Sequence, residues 1–289
     1  MSMKHTVSFQ ESLDYLIINA LKEDLGAGDI STLSCIAPNV EGRAHLILKQ
    51  KGIIAGLEVA EKIFRFVQPD IEFKLLKKDG DIISKGERAF EVTGRVYTLL
   101  SCERLVLNCM QRMSGIATLT EQYVEKMAGY PAVLLDTRKT TPNFRLLEKE
   151  AVRIGGGQNH RFGLYDMIML KDNHIDYCGG LEQAINMANT YVEAHCPGMP
   201  IEVETRSLAE VEDVLRIGKV NRIMFDNFIP ALMHEAVKMV NKRFETEASG
   251  GITLENIRDY AATGVQYISS GAIIHHAVSL DMSLKAIIK

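Results

Sequence analysis

From residue 130 onward the chain alternates short apolar runs with longer amphipathic stretches. Six runs read as strands, at 132–135, 167–170, 201–203, 222–225, 244–248 and 265–269. Their starts lie 35, 34, 21, 22 and 21 residues apart, the rhythm of β-strand and α-helix units, and this implies a parallel sheet. Each run stops in polar or glycine residues: Asp136-Thr137-Arg138-Lys139, Lys171-Asp172-Asn173-His174, Glu204-Thr205-Arg206, Asp226-Asn227, Ser249-Gly250-Gly251 and Ser270-Gly271. Parallel α/β folds bind ligands at the carboxyl ends of their strands, and barrels at that one face. The pattern therefore gathers Lys139, Lys171, Glu204, Asp226 and two small-residue loops around one mouth.

The first third is patterned differently. Leu13, Leu16, Ile17, Ala20 and Leu21 fall at helical spacing over 11–25, with Gly26 at the end. Residues 43–49, 53–55, 71–76 and 88–92 read as short strands, with turns at Lys51-Gly52, Asp79-Gly80 and Lys85-Gly86. Residues 57–67 form an amphipathic helix with Val59, Ile63, Phe64 and Val67 on one side. A long helical pattern fills 97–127, with a break expected near Ser114-Gly115. This is a small α/β unit with a mostly antiparallel sheet and no catalytic constellation. Arg104, on the long helix, reads from its position alone as a solvated or Glu-paired arginine.

Composition narrows the function classes. A chain of 289 residues suffices for one large α/β barrel or for two domains with good cores. A net charge of −4 argues against nucleic-acid or membrane-surface binding. No apolar run approaches the ~20 residues needed to span a bilayer. The N-terminus lacks a signal-peptide pattern, so a cytoplasmic protein is expected. Cys35, Cys102, Cys109, Cys178 and Cys196 are scattered and never spaced as CxxC, which favours reduced thiols over disulfides or zinc.

Against that acidic background, the stretch 134–174 carries cations at Arg138, Lys139, Arg145, Lys149, Arg153, Arg161 and Lys171. Such a cluster points to an anionic ligand. Arginine forks suit carboxylates and lysines act as point charges, so a mouth holding both fits a small ligand with several carboxylates or phosphates. Arg145, Lys149 and Arg153 repeat every four residues among Glu148 and Glu150, and read instead as the solvated face of a helix. Glu202 and Glu204 share one face of a strand. With Asp226 they could hold Mg2+ beside substrate phosphates, or Glu204 could form a structural ion pair with Lys171 or Arg138, and both readings stay open.

The loops Ser249-Gly250-Gly251 and Ser270-Gly271 have the free backbone N–H groups of a phosphate cradle, although plain turns with a Ser cap would look similar. Gly155-Gly156-Gly157 has no following Lys-Ser/Thr, so it reads as a helix C-cap and tight turn rather than a P-loop. His160 is expected to contact the ligand. It and His174 lie beside cationic residues, which would disfavour their charged forms.

The strings ERLVLNCMQRMSGIAT, LLDTRKTTPNFR, GGGQNHRFGLYDMIMLKDNH, IEVET, RIMFDN, EASGGI and GVQYISSGA together resemble the quinolinate phosphoribosyltransferases, or nicotinate-nucleotide pyrophosphorylases, from about Leu21 to the C-terminus. The resemblance implies an N-terminal α/β sandwich, 1–112, followed by an incomplete TIM-like α/β barrel, 113–289, with the tail 275–289 packing back on the first domain. It implies transfer of a phosphoribosyl group from phosphoribosyl pyrophosphate to quinolinate with Mg2+, giving nicotinate mononucleotide, pyrophosphate and CO2 in NAD biosynthesis. It implies a homodimer or larger assembly in which Arg104 completes the neighbour's site, which reverses the bland reading of that residue.

On this basis Arg104, Arg138, His160 and Arg161 would hold the two carboxylates. Lys139 and Lys171 would face the phosphates. Glu204 and Asp226 would hold Mg2+ or the ribose hydroxyls, and Ser249, Gly250, Gly251, Ser270 and Gly271 would cradle the 5′-phosphate. The chain departs from the family's usual aliphatic residues at Thr205 and Phe225, and Arg206 adds a charge at the rim. Three other readings remain: a nicotinate phosphoribosyltransferase, a non-catalytic anion-binding paralogue, and a Schiff-base lyase with Lys171 as nucleophile.

Overall fold

The structure is a computed structural model and describes residues 8–287. The chain forms two compact units. Of the described residues, the first comprises 8–121, 140–156 and 276–287, and the second comprises 122–139 and 157–275.

The first unit opens with helix α1, Phe9–Leu25, started by a capping box between Ser8 and Glu11. The short helix α2, Ile30–Cys35, follows. Strands β1 (Glu41–Leu48) and β2 (Gly52–Ile53) lead into helix α3 (Leu57–Val67), and β3 (Glu72–Leu75), β4 (Ile82–Ile83) and β5 (Arg88–Arg95) complete the alternation. β1 lies between β5 and the C-terminal strand Met282–Ala286, antiparallel to both, and β3 pairs with the far edge of β5. The apolar side of α3 is buried, and Phe64, Phe73 and Phe90 stack at centroid distances of 4.5 to 6.2 Å.

Helix α4, Val96–Lys126, runs through Ser114-Gly115 without the expected break. Packing explains both small residues. The Ser114 hydroxyl accepts from Ala55 N and donates to Ala55 O, and a side-chain carbon at Gly115 would lie 2.2 Å from the Val278 carbonyl oxygen. Glycine is there for close approach, not to end a helix. Cys102 and Cys109 are buried on α4, and burial pushes both thiols up to about 12, so they are inert apolar filling.

Helix α5, Arg145–Ile154, corrects one reading. Glu148 and Lys149 are buried, not solvated. The Glu148 carboxylate accepts from Thr141 N, Thr141 Oγ1 and Arg112 Nε, whose guanidinium also reaches the Ala277 carbonyl. Of the four-residue cationic repeat, Arg153 is exposed and pairs with Glu150. Gly155 caps α5, and a side chain there would meet the Ala117 carbonyl at 2.4 Å.

The second unit is the predicted parallel sheet. All six strands form: β6 (Val133–Leu135), β7 (Ile168–Leu170), β8 (Ile201–Thr205), β9 (Arg222–Asp226), β10 (Glu245–Ser249) and β11 (Tyr267–Ser269). They lie in the order β6-β11-β10-β9-β8-β7, every pair parallel. The sheet is open between β6 and β7, and a bridge from Leu135 to Gln158 adds one rung beside β6. Helices α6 (Asp172–Cys178), α7 (Leu181–His195), α8 (Leu208–Ile217), α9 (Pro230–Val240), α10 (Ile257–Ala261) and α11 (Ala272–His275) connect the strands or follow them. This is the incomplete α/β barrel expected. Among the described residues no helix is long and apolar enough to cross a membrane.

Candidate active site

Side chains alternate along a parallel strand, so Glu202 and Glu204 point to the same side of β8. Both are buried. Glu204 lies nearer the carboxyl end, where its Oε2 meets Lys171 Nζ, one residue past β7, at 2.5 Å. That ammonium is 44% exposed and the carboxylate 8%. The Lys171 backbone N–H donates to His174 Nδ1, which gives His174 a structural part at the start of α6.

On the next strand Asp226 accepts from the side-chain amide of Asn227 at 2.7 Å. Asn227 is in the left-handed region, φ 57°, and its backbone N–H donates to Ser249 O. Gly250 leaves the space this needs, because a side-chain carbon there would lie 2.3 Å from Asn227 Oδ1 and 2.9 Å from its backbone N. Two strand ends therefore brace each other around Asp226.

The loops after β10 and β11 turn back without long helices. Gly250 and Gly251 both have positive φ. Ser270 N donates to Leu135 O, and the buried Ser270 hydroxyl to Ile252 O, so both polar groups of Ser270 are engaged within the chain. α10 and α11 have five and four residues, so an anion here would rely on loop N–H groups more than on a helix dipole. Gly271 has a specific reason: a side-chain carbon would lie 2.8 Å from Lys139 Cδ.

The segment after the triple glycine is pinned by Asp136, a buried residue just past β6. Its Oδ1 accepts from His160 N at 2.9 Å and its Oδ2 from Asn159 Nδ2 at 2.7 Å. Asp166 then accepts from Phe162 N and Gly163 N, and Arg161 Nη1 donates to Met167 O. Burial, followed by the charge of the neighbouring Arg138, holds the Arg161 guanidinium below the usual arginine range. Two neighbouring guanidiniums suit an anionic ligand.

His160 is buried. Its Nε2 lies 3.0 Å from Glu202 Oε2 and 3.2 Å from Glu247 Oε2, and its Nδ1 accepts from Arg161 N at 2.7 Å. Arg222 closes the group, with Nη1 2.9 Å from Glu247, Nη2 2.9 Å from Glu245, and its guanidinium stacked 4.0 Å over the Tyr267 ring. The groups that face the ring are carboxylates, not the cationic neighbours expected from the sequence. Burial favours the neutral ring, while Glu202 and Glu247 favour a proton on Nε2, the nitrogen that faces them, and Nδ1 keeps the lone pair that accepts the Arg161 N–H. Burial pushes Glu202 up to about 7. His160, Glu202 and Glu247 have metal-ligand chemistry and lie close together, and Arg222 balances part of their charge.

The second unit therefore brings together Arg138, Lys139, His160, Arg161, Lys171, Glu204, Asp226 and the two loops. Arg104 is exposed on the part of α4 that belongs to the first unit. Asn159, Asp166, Arg222 and Glu247 escaped the sequence reading, and Asp136 and Asn227 entered it only as strand ends. The legible signal was parity: Glu247 sits mid-strand two residues before Ser249, where a charge must be buried and paired.

Comparison with known proteins agrees. The family model described as quinolinate phosphoribosyl transferase, N-terminal domain, matches residues 29–114, and its C-terminal counterpart matches 116–285. A decarboxylating quinolinate phosphoribosyltransferase of Nicotiana tabacum is 46% identical over 281 residues, covering 92% of this chain and 80% of that one. A chloroplastic, carboxylating nicotinate-nucleotide pyrophosphorylase of Arabidopsis thaliana is 43% identical over 281 residues, with the same coverage of 92% and 80%. The structure of the nicotinate-nucleotide pyrophosphorylase from Francisella tularensis superposes with a TM-score of 0.89 at 34% identity, covering 99% of this chain and 100% of that one. Motifs, fold and relatives converge, and the chain belongs to the quinolinate phosphoribosyltransferase family.

Proposed function

We propose that this protein transfers the phosphoribosyl group of phosphoribosyl pyrophosphate to the ring nitrogen of quinolinate, releasing pyrophosphate and CO2 and leaving nicotinate mononucleotide, a step of NAD biosynthesis in the cytoplasm. The observation that carries this reading is the gathering of Lys171, Glu204 and Asp226 at neighbouring strand ends, with Lys139 against Gly271, in a chain of this family. Two arginines, Arg138 and Arg161, suit a substrate with two adjacent carboxylates better than a monoacid.

In this reading Arg138 and Arg161 hold the quinolinate carboxylates, joined by Arg104 from a second copy in a homodimer or larger assembly, and His160, with both ring nitrogens engaged, supports Arg161 from behind instead of contacting the ligand as the sequence suggested. Lys139 and Lys171 face the phosphates. Ser249, Gly250, Gly251, Ser270 and Gly271 form the 5′-phosphate loops, chiefly through backbone N–H groups. Glu204 and Asp226, at the carboxyl ends of paired strands β8 and β9, offer the oxygen donors that Mg2+ prefers. When bound there, the ion supplies charge neutralisation for the pyrophosphate.

As the sugar–pyrophosphate bond breaks, positive charge builds at the sugar, and the Glu204 and Asp226 carboxylates stabilise it. The ring nitrogen forms the new bond and becomes cationic. The adjacent carboxylate then leaves as CO2, its bonding electrons stay on the ring carbon, and that carbon takes up a proton. The protein's part in this last step is to orient the carboxylate and limit water. The family to which the chain belongs favours the transferase over the Schiff-base reading.

Steady-state kinetics of Arg138→Ala and Arg161→Ala test the substrate assignment. Each should raise the quinolinate KM without a matching change for phosphoribosyl pyrophosphate, and unchanged kinetics would remove both from the site. Mixing Arg104→Ala with Lys171→Ala protein should restore activity through hybrid dimers, and no recovery after verified subunit exchange would refute a shared site.

A further inference from the structure

The buried charges behind the mouth have no part in the transfer as described so far. Glu247 stands at their centre. Its Oε2 receives Arg222 Nη1 from β9 at 2.9 Å and faces His160 Nε2 at 3.2 Å, and its side chain is fully buried. The imidazole continues the chain outward, because its Nδ1 accepts the Arg161 backbone N–H at 2.7 Å. Asp136 Oδ1 holds the preceding peptide N–H, that of His160 itself. The Arg161 backbone is thus fixed from two sides, and the guanidinium beyond it is steadied by Met167 O.

Such bracing has a purpose. The Arg161 guanidinium must stay aimed at the mouth, and an unbraced segment would let it turn away. From this geometry we propose that Glu247 is a positioning residue for the carboxylate-binding arginine Arg161, acting through His160. Glu247 occupies Arg222, which leaves Glu202 to share His160. With the Glu247 charge removed, Arg222 is drawn toward Glu202, to which it is already electrostatically coupled, and competes with the imidazole for that carboxylate. The ring then loses its anchor and the Arg161 peptide its orientation.

The inference rests on the reading that Arg161 holds a substrate carboxylate, and one set of variants separates the two. Glu247→Gln, Glu247→Asp and Arg161→Ala are purified, checked for folding by thermal unfolding, and assayed with quinolinate and phosphoribosyl pyrophosphate varied in turn. Glu247→Gln should raise the quinolinate KM roughly tenfold or more, about the weight of one charge-assisted contact. It should leave the phosphoribosyl pyrophosphate KM within about twofold, as expected of a group that serves one subsite. Glu247→Asp, which keeps the charge, should recover part of the loss. If Arg161→Ala leaves the quinolinate KM unchanged, the carboxylate reading fails and this inference with it. If Arg161→Ala raises it but both Glu247 variants behave as wild type, the inference alone is overturned. If Glu247→Gln does not fold, or weakens both substrates equally, while Glu247→Asp is indistinguishable from wild type, Glu247 is only a structural residue and the inference is likewise overturned.

Discussion

Lys171 Nζ and Glu204 Oε2 lie 2.5 Å apart across the paired strands β7 and β8, with the lysine half exposed and the carboxylate buried. Glu204 keeps a small opening to water that the fully buried Glu148 lacks, so water can replace the half-exposed ammonium and the pair should contribute only about 1 kcal/mol to stability. Its weight in catalysis should be far greater, because both groups border the mouth. Lys171→Ala should leave the thermal unfolding midpoint nearly unchanged while kcat/KM falls by about a hundredfold or more, the usual cost of losing one preorganised electrostatic group. Loss of stability in step with activity would make the pair structural.

Gly250 and Asn227 provide a second, geometric expectation. Gly250→Ala places a side-chain carbon against Asn227 at a positive φ of 92°. The left-handed backbone alone costs about 1–2 kcal/mol. Activity should fall further than that destabilisation explains, since Asn227 orients Asp226. Asn227→Ala, also at a positive φ of 57°, should cost about 1 kcal/mol of stability and lower kcat in the protein that remains folded, and a variant with wild-type kcat would show that Asp226 needs no such support.

Arg112 and Glu148 bear on stability alone. Glu148 is fully buried and accepts from Arg112 and Thr141. Arg112→Met leaves that carboxylate without its charged partner, which costs about 3–5 kcal/mol when a buried pair is broken from one side. Urea unfolding should show this loss. A change below about 1 kcal/mol, the range of an exposed pair, would mean that solvent reaches Glu148.

Much of the fold was legible because strand and helix periods differ and each strand of the second unit ends in polar residues. Arg138, Lys139, Lys171, Glu204 and Asp226 could be proposed because each follows or closes an apolar run. Glu148 and Lys149 misled, since a four-residue charge repeat looks the same on a solvated helix as on a buried one until its tertiary partners are known. Gly115 misled for a similar reason: its need for space comes from Val278, 163 positions away in the chain. The Glu247–His160–Arg222 cluster joins three separate segments, and no local pattern announces which buried charges will meet.

One assay tests the central claim most directly. Protein, Mg2+ and phosphoribosyl pyrophosphate are combined with quinolinate in one reaction and nicotinate in another, following nicotinate mononucleotide and released CO2. The account predicts nucleotide and an equal amount of CO2 from quinolinate, and neither from nicotinate. Nucleotide formed from nicotinate, or from neither acid, would contradict it.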